Sequence, residues 1–200
     1  ISRITALNQD LALALAAHPI RIEAPIPGKS FVGIEVPNKS AAIVRLGSLM
    51  NFPEFVNAGS LGFILGRDVS GDPIVADIGK MPHLLIAGST GSGKSVAIHA
   101  LIISLLYKNS PETLKLIMID PKRVELTVYN GIPHLVAPVI TDGKKALGVF
   151  RWAISEMERR FDIFAANSAR DIESHNKTSE EKLPYIILVI DELADLMVAT

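Results

Sequence analysis

The sequence predicts an α/β fold with a mainly parallel sheet, preceded by a small α+β unit. Three observations carry this. Four apolar runs, HLLIAG (83–88), LKLIMID (114–120), HLVAPVI (134–140) and YIILVID (185–191), alternate with helical patterns, as strands of a parallel sheet covered on both faces do. The glycine-rich stretch GSTGSGKS (88–95) sits between the first run and a helix. Before that stretch the rhythm is different, with one short helix and paired β-branched segments.

In chain order, Asn8 reads as a helix cap, LALALAAH places leucines on a helical face, and Pro19 stops it. IRIEAPI and FVGIEV alternate as two strands about the Pro27-Gly28 turn, which predicts a hairpin. The small unit is expected to span residues 1–55, and the second domain residues 56–200. GFILGRDVSGDPIVADI repeats the hairpin logic with Ser70-Gly71-Asp72-Pro73 as its turn. Lys94 to Lys108 is an apolar helix. A long helix starts near Thr141 or Asp142, with Ala146, Phe150, Ile154, Met157, Phe161 and Phe164 at steps of three and four. Ser168 to Pro184 is polar without a core period and reads as a loop or a frayed helix end. ELADLM, after the last strand, begins another helix.

Composition bounds the function. With 200 residues and 48% hydrophobic content the chain can bury a real core. The 20 basic and 21 acidic residues leave a net charge of -1, so any nucleic-acid contact must come from a local patch rather than a global field. The absence of cysteine excludes disulfides, thiolate zinc sites and thiol nucleophiles, and fits a reducing compartment. The apolar runs are shorter than the ~20 residues of a membrane helix, and no signal peptide is visible. The opening ISRIT lacks an initiator methionine, so the chain is expected to begin inside a larger protein.

The motif carries the chemistry. Gly88-Ser89-Thr90-Gly91-Ser92-Gly93-Lys94-Ser95 fits G-x-x-x-x-G-K-[ST] between a strand and a helix. Glycines let successive N–H groups converge on a phosphate, and the helix start adds its positive dipole end. Lys94 would neutralise the β- and γ-phosphates of ATP, and the Ser95 hydroxyl would ligate Mg²⁺. Asp191 and Glu192 end an apolar strand, where open α/β sheets bind ligands. There Asp191 would hold Mg²⁺ together with Ser95, while Glu192 would orient or deprotonate the attacking water. The alternative for Glu192 is that it merely starts the next helix at its favourable end. Asp120, closing LKLIMID, is either a supporting partner of the metal water or Lys94, or a polar residue that closes a strand before Pro121. Lys122, Arg123, Lys144 and Lys145 could touch a phosphate backbone, although solvated lysines are the commoner case. Arg67 and Arg123 are candidates for a finger acting on a neighbouring subunit. His83, His99 and His134 read as structural.

These stretches resemble the FtsK/SpoIIIE DNA translocases. The likeness rests on DLALALAAHPIRIEAPIPGKSFVGIEVPN, LGRDVSGDPIVADIGKMPHLLIAGSTGSGKS, LIMIDPKRVELTVYNGIPHL, RWAISEMERRFDIFAA and YIILVIDELADLM. It implies a RecA-like P-loop NTPase core with residues 1 to about 55 as the later part of an α subdomain. The rest would be the first part of a β subdomain, with α beginning before Ile1 and β continuing beyond Thr200. It further implies an ATP- and Mg²⁺-dependent motor that moves double-stranded DNA in chromosome segregation at division or sporulation. The motor would work as a hexameric ring in the cytoplasm, with the parent anchored in the membrane at the septum through parts outside this chain. Two alternatives stay open. One is a related ring ATPase moving protein or conjugative DNA, and the other is a nucleotide-binding fragment without turnover in isolation.

Overall fold

The computed structural model describes residues 2–40, 42–81 and 83–198; Ile1, Ala41, Pro82, Ala199 and Thr200 lie outside it. It divides into two compact units, residues 1–44 and 45–200.

In the first unit, helices α1 (Ser2–Thr5) and α2 (Asn8–Ala14) precede a hairpin of β1 (Arg21–Glu23) and β2 (Gly33–Glu35). The strands pair antiparallel, with Ile22 opposite Ile34. Asn8 is not the cap: it lies inside the first turn of α2, and its side-chain amide donates to the Ile20 carbonyl at 3.0 Å, fastening the helix to the start of the hairpin. A side chain that reaches across the chain cannot also turn back onto its own helix end. Gly28 holds φ +75° in the turn, a conformation that suits glycine.

The second unit opens with a three-residue 3-10 turn and helix α3 (Pro53–Val56). Leu49 and Phe55 pack on Ile64, so residues 45–55 belong to this unit and not to the first. The second hairpin, β3 (Gly62–Arg67) and β4 (Pro73–Asp77), is antiparallel with a register shift between Ile64 and Gly66. Its turn is tied by the Asp68 carboxylate, which accepts from the amides of Ser70 and Asp72 at 2.9 Å each.

Helix α4 (Lys94–Lys108) packs its Ile98, Leu101, Ile102 and Leu105 into the main core with Phe63 of β3 and Leu114, Leu116 and Met118 of β5 (Leu114–Ile119). Three polar contacts hold this helix in place. Buried Ser104 satisfies its hydroxyl on the Ala100 carbonyl at 2.7 Å and accepts from the Ile64 amide at 3.3 Å. Lys108 donates to the Phe55 carbonyl at 2.7 Å, and Asn109 to the Ser60 carbonyl at 2.7 Å. The Ser104, Lys108 and Asn109 contacts tie α4 to backbone groups of β3 and of the segment before it.

Strand β5 pairs in parallel with β6 (Tyr185–Ile190), in register from Leu114 opposite Tyr185 to Ile119 opposite Ile190. The linker between them contains helix α5 (Gly143–Ala166), capped by Asp142 accepting from the Lys144 amide at 2.9 Å. Helix α7 (Leu193–Val198) succeeds β6.

Four expectations are corrected. HLVAPVI is no strand: it meets β5 only at the bridges Leu116–Leu135 and Ile119–Ile140. Leu135 and Ile140 span five residues against three on β5, and Pro138, which has no N–H to offer a ladder, lies in the excess. HLLIAG is extended but unladdered among the described residues, with Leu85 79% exposed; apolar content alone does not make a strand unless another strand takes its backbone groups. The polar stretch after α5 holds a true helix, α6 (Ile172–Thr178). Asp171 accepts from the Ser174 amide at 2.7 Å and Ser174 reciprocates, a capping box that outweighs the absent apolar period.

The fourth concerns α5. Its apolar period is real, but Ile154, Met157 and Phe161 are exposed. The packed side turns instead through Ala146, Val149 and Phe150, which meet Ile119 and Leu188. Farther along, Glu156 and Arg160 pair at 2.6 Å and Arg160 donates to the Pro184 carbonyl at 2.8 Å. Arg159 and Arg160 pull the Glu156 carboxyl down to about 2. Among the described residues no helix is long and apolar enough to cross a membrane.

The core prediction stems from α4. Leu105→Ala is expected to cost about 2–5 kcal/mol through lost burial and a cavity, measured as a shift in the denaturant midpoint with an unchanged slope.

Candidate nucleotide site

The site is assembled where β5, β6 and the loop before α4 end. Parallel, in-register pairing puts the residues just past the two strands side by side. The Asp191 amide donates to the Ile119 carbonyl at 3.1 Å, and the Asp120 amide to the Ile140 carbonyl at 2.8 Å. Both acids are buried, Asp120 completely.

The loop Gly88–Gly93 is exposed, while Lys94 and Ser95 are half-buried. Gly91 and Gly93 take φ of +81° and +94°, and Gly93 caps α4 in the left-handed region. A side chain there would be strained. A Cβ on Gly88 would collide with the Ser92 side chain. The Ser92 amide bonds the Ser89 carbonyl at 3.0 Å, closing the turn that carries Thr90 at its exposed tip.

Lys94 reaches across to the end of β6. Its ammonium lies 3.1 Å from Glu192 Oε2, 3.2 Å from the Asp191 carbonyl and 3.9 Å from Asp191 Oδ1. Glu192 therefore does more than precede α7, which begins at Leu193. Asp191 Oδ1 is buried without a hydrogen-bond partner. Burial pushes its carboxyl above the usual range, Lys94 pulls it back, and Asp120, Glu125 and Glu192 push it further up. An unpartnered buried oxygen amid other acids is a place where a cation is electrostatically welcome.

Asp120 has a definite task. Its Oδ2 accepts from two successive amides, Glu125 at 3.0 Å and Leu126 at 2.9 Å, so it folds the loop 121–126 back on the strand end. Among the described residues no hydrogen bond or ion pair joins its side chain to Lys94. The fold-back presents Glu125, which the sequence reading overlooked, to the Ser95 hydroxyl at 2.8 Å. His99, read as structural, faces the other Glu125 oxygen at 3.4 Å and the Tyr129 hydroxyl at 2.8 Å. The signal for Glu125 was available as an acid five residues beyond a strand-end aspartate, but only the fold-back makes it meaningful.

Other candidates are engaged elsewhere. Arg67 donates to the Gly71 carbonyl at 2.5 Å and lies 5.2 Å over the Phe52 ring, within its own hairpin region. Lys122 pairs with Asp195 of α7 at 2.9 Å. His134 binds the Asn109 carbonyl at 2.9 Å. Arg123 takes φ +61° in the exposed loop, and Lys144 and Lys145 lie exposed in the first turn of α5; none of the three joins the cluster around Lys94.

The raised Asp191 carboxyl carries a sign. Its folded form keeps a proton that the unfolded chain has already released, so stability from this group falls as pH rises through the usual aspartate range toward the raised value. In nucleotide-free protein, Asp191→Asn is expected to melt above the unchanged chain at neutral pH. That gap is expected to close as pH is lowered from neutral toward about 4, where both states carry the proton, read from thermal melts across pH.

The sequence matches the FtsK/SpoIIIE family over residues 50–200 and the FtsK alpha domain over residues 1–38. The DNA translocase FtsK of Caldanaerobacter subterraneus subsp. tengcongensis is 57% identical over 202 residues, covering 100% of this chain and 28% of that protein. The DNA translocase SftA of Bacillus subtilis is 53% identical over 203 residues, covering 98% of this chain and 21% of its own length. This chain thus spans about a quarter of these curated relatives. Among solved structures, the pCW3 conjugation coupling protein TcpA, in monomer form with ATPγS, aligns with a TM-score of 0.64 at 27% identity, covering 99% of this chain and 53% of that one. A family match over residues 50–200 takes in most of the chain and the whole constellation from Gly88 to Glu192, and on it the chain belongs to the FtsK/SpoIIIE family.

Proposed function

We propose that this chain is the nucleotide-hydrolysing part of a DNA translocase that moves double-stranded DNA in chromosome partition at cell division or sporulation. The observation that carries it is the convergence of Lys94 with Asp191 and Glu192, 97 and 98 residues later in the chain, on one strand-end crevice. The names of the relatives, DNA translocases FtsK and SftA, support DNA as the partner. The small unit is read as part of the α subdomain and the larger one as the first part of the RecA-like β subdomain. A homo-oligomeric, hexameric ring and a parent anchored in the membrane belong to the same proposal.

In this reading the amides of Gly88, Ser89, Thr90, Gly91, Ser92 and Gly93 receive the phosphates of ATP, and Lys94 neutralises them. Ser95 and Asp191 would hold Mg²⁺, for which the bare Asp191 Oδ1 is suited. The metal supplies positive charge at the β- and γ-phosphates. Glu192 orients the attacking water and takes its proton. In the nucleotide-free chain Glu192 spends its charge on Lys94 at 3.1 Å. A phosphate drawing Lys94 away frees that carboxylate, so the base is released where the substrate arrives.

Similarity to TcpA favours a second reading, a coupling ATPase moving conjugative DNA. In the intact protein Lys94→Ala is expected to reduce duplex-stimulated ATP turnover at least ~100-fold, the order of a lost transition-state charge contact. Near-normal turnover by the variant would defeat the site assignment. Stimulation of ATPase by a protein substrate and not by duplex DNA would defeat the DNA-motor reading while leaving the site intact.

A further inference from the structure

Ser95 has one proton and two lone pairs to place. A hydroxyl that is to ligate a cation must direct its oxygen lone pairs at it, which requires an acceptor for the proton on the far side. The strand-end Asp191 is one carboxylate that could be that acceptor. Here it is not. The proton goes to Glu125 Oε1 at 2.8 Å.

We propose that Glu125 is the positioning residue for the Ser95 hydroxyl, fixing its proton so that its lone pairs face the phosphate side. This rests on the reading of Gly88–Ser95 as the nucleotide loop. Three features suit Glu125 to that role. Its backbone is clamped, with its own amide and that of Leu126 both given to Asp120 Oδ2 at 3.0 and 2.9 Å. Its second oxygen faces His99 Nε2 at 3.4 Å. On the other side of that ring, His99 Nδ1 lies 2.8 Å from the Tyr129 hydroxyl, which holds the imidazole in place. The carboxylate is thus held through its backbone and one oxygen, with an imidazole beside the other. Partners that orient a metal ligand in this way affect affinity although they never touch the metal.

The proposal separates Glu125 from a residue that merely shapes the loop, because its effect must pass through one hydroxyl and only when the metal is present. The probe is a fluorescent ADP analogue bound to the intact protein, with Mg²⁺ or with a chelator. Glu125→Ala is expected to weaken Mg²⁺-dependent binding about 10- to 100-fold, the range for loss of a ligand's orienting partner, and to change chelator binding less than about 2-fold. Glu125→Gln, which keeps one acceptor oxygen, is expected to recover part of the loss and guards against misfolding of the alanine variant. In a Ser95→Ala background Glu125→Ala is expected to add nothing, because the coupling runs through that hydroxyl. Equal weakening with and without Mg²⁺, no weakening at all, or full additivity with Ser95→Ala would each overturn the proposal. If the unchanged protein showed no Mg²⁺-dependent nucleotide binding, the reading of the loop itself would fall and this proposal with it.

Discussion

In-register parallel pairing of β5 with β6 is the constraint from which the rest of the site descends. Because Ile119 stands opposite Ile190, the next residue of each strand is an acid at the same edge of the sheet. A slip of one residue would turn one of the two to the opposite face. The pairing is secured along its length by Leu114, Leu116 and Met118 under the apolar face of α4. Packing of α4 and placement of its first residues, Lys94 and Ser95, are therefore the same event.

That placement solves an electrostatic problem of the fold's own making. Two buried carboxylates at neighbouring strand ends repel each other and lose hydration. They are relieved unequally. Asp120 is satisfied on one oxygen by two amides, whereas Asp191 has the Lys94 ammonium at 3.9 Å and nothing closer on Oδ1. Each acid keeps a buried Oδ1 without a hydrogen-bond partner, so the difference lies in the second oxygen, which on Asp120 is given to the loop. Similar residues at equivalent positions thus acquire different roles from their surroundings.

The hairpins, α4, β5, β6 and the start of α5 were legible because periodicity, turn residues and caps agreed. The turn of the glycine-rich loop before α4 was legible too, from the spacing of Gly91 and Gly93 and the helix that follows, although no strand ladder precedes it among the described residues. What escaped was decided by pairing rather than composition. HLLIAG and HLVAPVI have the apolar content of strands, yet one finds no ladder among the described residues and the other carries Pro138 where a ladder bond would be needed. The helix α6 was hidden because its stability lies in Asp171 and Ser174 at one end, not in a stripe. Glu125 was hidden for a different reason: its relevance depends on a backbone reversal that no local signal announces.

The reversal closed by Asp120 gives the site a mechanical character. A segment whose two ends are tied to one strand terminus has no hinge of its own, so Glu125 travels with β5 as a short rigid arm. The arm is also braced from outside by Lys122 on Asp195 of α7. The arm meets α4 at the Ser95 hydroxyl and beside the His99 ring, while the core joins β5 to the same helix farther along. The end of β5 and the first two turns of α4 are thereby held to one geometry.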